Sequence, residues 1–288
     1  MIRCGRAALP LAVVLVVVIA VWYAGAAWLN FDVTANLAED DATTWEILQG
    51  TMQQDRPLLP APHQLVAELF SSVVEQPIDS PKSLIYHASV TAFAAFLGFL
   101  IALGLGVGLA IGIVHVRTLD RSLMLWIIAS QTIPVLAIAP MVVVVLGNIG
   151  FTGLLPKSLI AGYLSFFPIV TGMVKGLRSP DPIQRDLMRT YSASGLQLFT
   201  MLRWPASMSF LLPSLKVAAT LALVGAIVAE LPTGAQAGLG ARLLSGSYYG
   251  QTLQIWAALF MASFLALLAI GGVDLFRLAL IRRRGGRL

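Results

Sequence analysis

The sequence is poor in charge, cysteine and histidine. Asp, Glu, Lys and Arg make up 11% of the 288 residues, where a soluble domain carries roughly 25%. Too few polar side chains are present to clothe a water-exposed surface of this size, which excludes a disordered chain, a secreted disulfide scaffold and almost any water-soluble enzyme. Cys4 is the only cysteine, so no intrachain disulfide can form. The three histidines, His63, His87 and His115, are far apart in sequence and form no metal-ligand cluster. There is no nucleophile–base pair and no glycine-rich phosphate loop with its lysine, so the chain has no means of hydrolysing ATP itself. No segment alternates with period two, which excludes a β-barrel.

What the chain has instead is apolar length. Hydrophobic residues make up 58%, and uncharged stretches run 7–31, 83–116, 122–156, 158–174, 217–229 and 243–273. Most exceed the roughly 20 residues that cross a hydrocarbon core as helix. The pattern predicts an all-α integral membrane protein with six transmembrane helices, near 7–29, 85–114, 122–147, 157–177, 209–231 and 253–280. Lys157 and Lys175 are expected to snorkel from the ends of the fourth. The first segment, with Arg3 and Arg6 before it and Ala24-Gly25-Ala26 near its end, also has the outline of a signal peptide. Its apolar run is longer than such signals carry, and it is read as a retained helix.

Six spans put both termini on one side. That side then holds 15 of the 19 basic residues, including Arg117, Arg121, Lys175, Arg178, Arg185, Arg189, Arg203 and the tail Arg282-Arg283-Arg284; the other holds Arg56, Lys82, Lys157 and Arg242. The positive-inside rule makes the termini cytoplasmic. The tail is a stop-transfer flank, and no nucleic acid is expected as a partner. Residues 31–82 carry nine acids, among them Glu39, Asp40 and Asp41, against Arg56 and Lys82. They form an external loop with a short surface helix over 63–74. The organisation is thus 1–83, first helix and acidic loop, and 84–288, a five-helix core.

Within the membrane, Gly104, Gly108 and Gly112 lie four apart and predict close helix packing. Pro134, Pro140 and Pro168 should kink the third and fourth helices. Gln131 and Thr132 beside Pro134 either satisfy carbonyls freed by the kink or line a path. Glu230 is either a solvated helix-end acid or a gate or pathway group. Asp274 is expected to bridge to Arg277, and Lys216 to reach the headgroups.

The hydrophilic segment 178–208 contains two short helices, with Asp181 and Pro182 starting the first and Ser192, Ala193, Ser194 and Gly195 breaking the chain. A second helix from Leu196 should end before Pro205. This makes a knob suited to a partner's cleft, with Tyr191, Leu196 and Phe199 available for burial. The spacing resembles the cytoplasmic "EAA" loop of the membrane subunits of bacterial ABC importers. Asp186 stands at the acid, Leu187 and Met188 at the alanines, Ser192 at the glycine, and Leu202-Arg203-Trp204-Pro205 at the ending. The identities differ from the consensus while the register is kept. The resemblance runs from about Leu59 to the end, through Leu59-Pro60-x-Pro62, Gly98 to Gly112, Ile133-Pro134 with Ala139-Pro140, Phe166-Phe167-Pro168 and Gly238-Leu239-Gly240.

This resemblance implies a type I ABC importer-like permease fold, in the branch that imports nitrate, taurine, alkanesulfonates and thiamine-pyrimidine precursors. It implies a second permease copy (a homodimer) or a related permease subunit, cytoplasmic ATP-binding subunits, an external substrate-binding protein and residence in the bacterial inner membrane. ATP and magnesium would sit on the partner ATPase, with no cofactor in this chain. It assigns ATPase coupling to Asp186, Arg189, Thr190, Tyr191, Ser192, Ala193, Ser194, Gly195, Leu196 and Pro205. It makes 232–250 a re-entrant segment on the external side. Gln131-Thr132-Ile133-Pro134 and Glu230-Leu231-Pro232 are similar to members that take pyrimidine or thiamine precursors, whereas a uniformly basic pore would suit sulfonate or nitrate. A stand-alone secondary transporter would show inverted repeats, and no second copy of the Pro-rich or EAA-like segments is present. An intramembrane enzyme would need partnered catalytic groups.

Overall fold

The computed structural model describes residues 3–37, 43–232 and 237–283, and the side chains of 10–37, 43–232 and 237–282. Glu39, Asp40, Asp41, Gly234, Arg284 and Arg287 lie outside the described residues, as does the side chain of Cys4. Every element is helical: α1 (Arg3–Leu37), α2 (Thr44–Gln53), α3 (Pro62–Phe70), α4 (Leu84–His115), α5 (Arg117–Ser130), α6 (Val135–Asn148), α7 (Leu154–Arg178), α8 (Pro182–Thr190), α9 (Gly195–Gln197), α10 (Trp204–Glu230), α11 (Leu239–Tyr248) and α12 (Thr252–Arg283). Two π-helical turns, Ser71–Glu75 and Leu198–Arg203, continue α3 and lead into α10. Among the described residues five helical stretches are long and apolar enough to cross a membrane, and α5 with α6 make a sixth if counted as one broken span.

That broken span corrects the expected straight helix over 122–147. α5 and α6 meet at 100° around Gln131–Pro134. Pro134 has no N–H to give the Ser130 carbonyl, which would be its partner in a continued helix. That carbonyl accepts instead from the Tyr163 hydroxyl of α7, with a longer bond from Ile133 N at 3.4 Å. Pro140 and Pro168, by contrast, sit inside unbroken helices. The helix expected to end before Pro205 also runs on. In the π turn ahead of it, the Trp204 N–H reaches back to Phe199, and this wider winding makes room for the proline ring. α1 extends past Leu29 to Leu37.

The chain divides into two compact units, 1–87 with 242–261 and 88–241 with 262–288. In the first, buried Asn30 of α1 clamps the chain ahead of α3. Its side-chain N–H₂ donates to Leu59 O at 2.8 Å, and its Oδ1 accepts from Leu58 N at 2.7 Å and Leu59 N at 3.3 Å. Trp22 Nε1 donates to Pro60 O at 3.0 Å, and the Trp22 ring packs on Trp256 and Phe260. The surface helix expected over 63–74 is present as α3 and its π turn, with Leu65 buried. α2 was not foreseen. Its start is a capping box, the Thr43 N–H donating to Glu46 Oε2 at 2.8 Å. These bonds from Thr43 hold the Glu46 carboxyl below its ordinary pKa. Their contribution is present at neutral pH and is lost as pH falls through that lowered value.

In the second unit, α7 packs along α10, with Ile169, Met173, Leu177, Leu211, Leu212 and Leu215 buried between them and their neighbours. Close approach here depends on small residues. At Gly98 of α4 a Cβ would lie 2.5 Å from Ser158 O and 2.6 Å from Ala161 Cβ. The expected stripe behaves differently: a Cβ at Gly104 or Gly108 would meet nothing within 4 Å. Of that stripe Gly112 alone is tightly packed, a Cβ there lying 3.3 Å from Leu119 of α5, and the other close approaches of α4 are at Gly98 and at Gly106, the latter against Ile169. Association of apolar helices in lipid rests on such fit rather than on water exclusion. Elsewhere in this unit Lys216 pairs with Asp274 at 2.6 Å, so Asp274 bridges between helices rather than to Arg277.

Candidate functional site

Two places carry the functional residues. The first is the knob. α8 buries none of its residues, and it ends in a Schellman arrangement. Ser192 N donates to Arg189 O at 2.8 Å and Ala193 N to Met188 O at 3.0 Å. Such a motif needs a left-handed residue between helix and exit, and Ser192 supplies it with φ 55°. The resemblance had put Ser192 where the family carries glycine, and the backbone explains why glycine suits that position. Ser194 then opens α9, its N–H donating to Gln197 Oε1 at 2.8 Å and its hydroxyl accepting from Gln197 N at 3.3 Å. Asp186 pairs with Arg189 at 3.3 Å on the exposed face, and the Thr190 hydroxyl donates to Asp186 O at 3.0 Å.

Around this break the surface is apolar. Ile183 is 81% exposed, Tyr191 79% and Leu196 72%, with Leu187 and Met201 also open. Ile183, Leu187 and Tyr191 follow one another at four-residue spacing and so share a face. Ile183 and Met201 had not been singled out, although the spacing was visible in the sequence. Phe199 is not part of this surface. It is half-buried in the chain's own core, against Trp204 and edge-on to His115.

The second place is the buried end of α10. Glu230 is fully buried, which corrects its reading as a solvated helix-end acid. The Thr91 hydroxyl of α4 lies 3.0 Å from both carboxylate oxygens, Lys157 Nζ of α7 is 3.5 Å from Oε1, and Gly240 N donates to Oε2 at 2.8 Å. Lys157 also donates to Ala237 O at 3.0 Å, and Leu239 N donates to Thr91 Oγ1 at 2.8 Å. Lys157 is therefore buried and paired, not snorkelling. Gln131, Thr132 and Pro134 are exposed at the α5–α6 break, and the Thr132 hydroxyl donates to Ala129 O at 2.8 Å. Thr91 carries no sequence signal. Lys157 did, as the only cation of the apolar stretch 122–174, opposite in sign to Glu230.

Left-handed backbone costs an L-residue roughly 1–2 kcal/mol, offset in part by the greater entropy loss of glycine. Ser192→Gly should therefore raise the stability of the purified chain by about 0.5–1 kcal/mol. Ser192→Val should lower it, because a β-branched residue tolerates this conformation worst. Thermal unfolding in detergent checks both; a midpoint lowered by Ser192→Gly would contradict the assignment.

Residues 102–286 match the family model described as binding-protein-dependent transport system inner membrane component. The formylaminopyrimidine transport permease protein of Halalkalibacterium halodurans is 31% identical over 80% of this chain and 86% of its own. The riboflavin transport system permease protein of Chloroflexus aurantiacus is 32% identical over 54% of this chain and 56% of its own. The putative aliphatic sulfonates transport permease protein of Bacillus subtilis is 26% identical over 83% of each chain. A multi-pass helical chain matched over most of its length to this family is a non-enzymatic transport subunit: it belongs to the binding-protein-dependent inner membrane components, the permeases of ABC importers.

Proposed function

We propose that this permease forms the membrane pathway for a small heteroaromatic nutrient of the pyrimidine or thiamine-precursor kind. An external binding protein delivers it, and two cytoplasmic ATPase subunits, which hold ATP and magnesium, drive it. A second copy of the chain completes the pathway. Both termini and residues 178–208 are cytoplasmic, while 31–82 and 232–250 are external, as the distribution of basic residues favours. Gln131, Thr132 and Pro134, exposed where the third span breaks, are the pathway candidates.

The observation that carries the coupling half of this reading is the exposed apolar surface of the knob. Ile183, Leu187, Tyr191 and Leu196 stand open around a helix break fixed by Ser192 and Ser194. Burying each in a partner's groove would contribute about 1.5–3 kcal/mol. Asp186, Arg189, Thr190, Ala193 and Gly195 belong to the two helices and the break that present them, and Pro205 stands at the start of α10, which follows. The substrate half rests on the formylaminopyrimidine permease, 31% identical over four-fifths of this chain. A sulfonate is the second reading, favoured by the relative from Bacillus subtilis.

Ala193→Glu or Ser194→Arg puts a charge at the centre of an apolar contact, where burying it unpaired is costly. Affinity purification of the tagged permease should then recover less than about a tenth of the parental ATPase, with the permease at normal membrane levels. ATPase recovered at the parental level would remove the knob from the coupling role.

The substrate is tested with the reconstituted complex and its binding protein. ATP hydrolysis should be stimulated by a formylaminopyrimidine and not by an alkanesulfonate. Stimulation by the sulfonate alone would replace the first reading with the second.

A further inference from the structure

We propose that Glu230 is a positioning residue and not a group of the pathway: with Lys157 and Thr91 it fixes the turn Ala237–Gly240, and transport requires the position of that turn. The role assigned to the turn, as part of the external end of the permease, rests on the function proposed above.

The carboxylate is where four stretches of chain meet. Glu230 ends α10, Thr91 comes from α4, Lys157 from α7, and the turn itself supplies three backbone groups. Ala237 O is held by Lys157 at 3.0 Å, Leu239 N by the Thr91 hydroxyl at 2.8 Å, and Gly240 N by Glu230 Oε2 at 2.8 Å. Without these partners the Ala237 carbonyl and the first N–H groups of α11 would be left unsatisfied in a buried place, where unmade hydrogen bonds are costly. Glu230 and Thr91 are both 0% exposed, Lys157 is 6% exposed, and Leu239 of the turn is 0% exposed. A carboxylate so enclosed has no face left for a passing solute.

The glycines of the turn fit the same account. Gly238 has φ 128°, and a Cβ on it would run into the Glu230 carboxyl group. A Cβ on Gly240 would lie 2.7 Å from Glu230 Cβ. The backbone of the turn is thus laid directly on the acid. The spacing of an acid and a Gly-Leu-Gly, eight to ten residues apart, acquires a physical reason: the glycines leave room for the carboxylate that binds them.

A buried pair replaced on both sides can be nearly neutral, whereas removing one partner leaves the other charged and unpaired. This separates positioning from participation. In Glu230→Gln the amide can still accept from Gly240 N, but its N–H₂ then faces the Lys157 ammonium, donor against donor. In Glu230→Gln with Lys157→Met the ammonium is gone, and the amide N–H₂ is free to turn toward the Ala237 carbonyl.

The test uses the full chain with Cys4→Ser and Leu239→Cys, in inverted and right-side-out membrane vesicles, probed with a membrane-impermeant maleimide. The turn should be protected in the parent. Glu230→Gln should raise the labelling rate at least about tenfold, and the double variant should return it to within about threefold of the parent. In the same series without the Leu239 change, stimulation of ATP hydrolysis by the loaded binding protein should fall with Glu230→Gln and recover in the double variant. Protection unchanged in Glu230→Gln overturns the proposal. So does a double variant that is labelled as fast as Glu230→Gln, that stays unstimulated while the parent responds, or that is absent from the membrane. If labelling behaves as stated while the parent complex itself gives no stimulation, the fault lies with the proposed function and the positioning role stands.

Discussion

Buried backbone that leaves regular helical form must still find partners for its N–H and C=O groups, and three such places among the described residues are built around that constraint. At Pro134 the Ser130 carbonyl loses its helical partner and takes the Tyr163 hydroxyl. Before Pro205 the helix widens into a π turn instead of breaking. At Ala237–Gly240 the free groups are taken up by Thr91, Lys157 and Glu230. The partners come from α4, α7 and α10, whose close packing through Gly98 and its neighbours brings them within reach. Packing, polar satisfaction and the shape of the irregular segments are therefore one problem with one solution.

The knob shows the opposite situation. It stands outside the apolar spans, where a serine can occupy a left-handed position at tolerable cost and where Tyr191 and Leu196 remain open. Exposed apolar side chains on a rigid helix break are costly for an isolated chain and useful for one that docks. Phe199 marks where the surface ends, since it turns inward to Trp204 and anchors the knob to the membrane-spanning core.

Much of this was legible in the residues. Apolar length and the scarcity of charge disclosed the membrane helices, and the register around Asp186 and Ser192 disclosed the two-helix knob. The capping box at Thr43 and Glu46 was present in the sequence as well, yet α2 went unread inside a loop rich in acid and proline. Other features were out of reach because they depend on tertiary partners. A proline marks a weakness in a helix, but whether it breaks at 100°, as at Pro134, or is absorbed, as at Pro168, depends on what lies alongside. Likewise Glu230 and Lys157 were each visible as charges among apolar residues. That they meet, 73 positions apart, follows only from the packing of α7 on α10. Gly104 and Gly108 carried a packing pattern and remain open, because small-residue spacing says that helices can approach and not that they do.

The account stands or falls on the chain threading the membrane so that the knob and the α11 region emerge on opposite sides. Single cysteines at Ser192 and at Tyr248, which are both exposed, on a Cys4→Ser background address this directly with an impermeant maleimide applied to intact cells and to inverted vesicles. Ser192→Cys should react only in inverted vesicles and Tyr248→Cys only in intact cells. Reaction of both from the same side would contradict the arrangement.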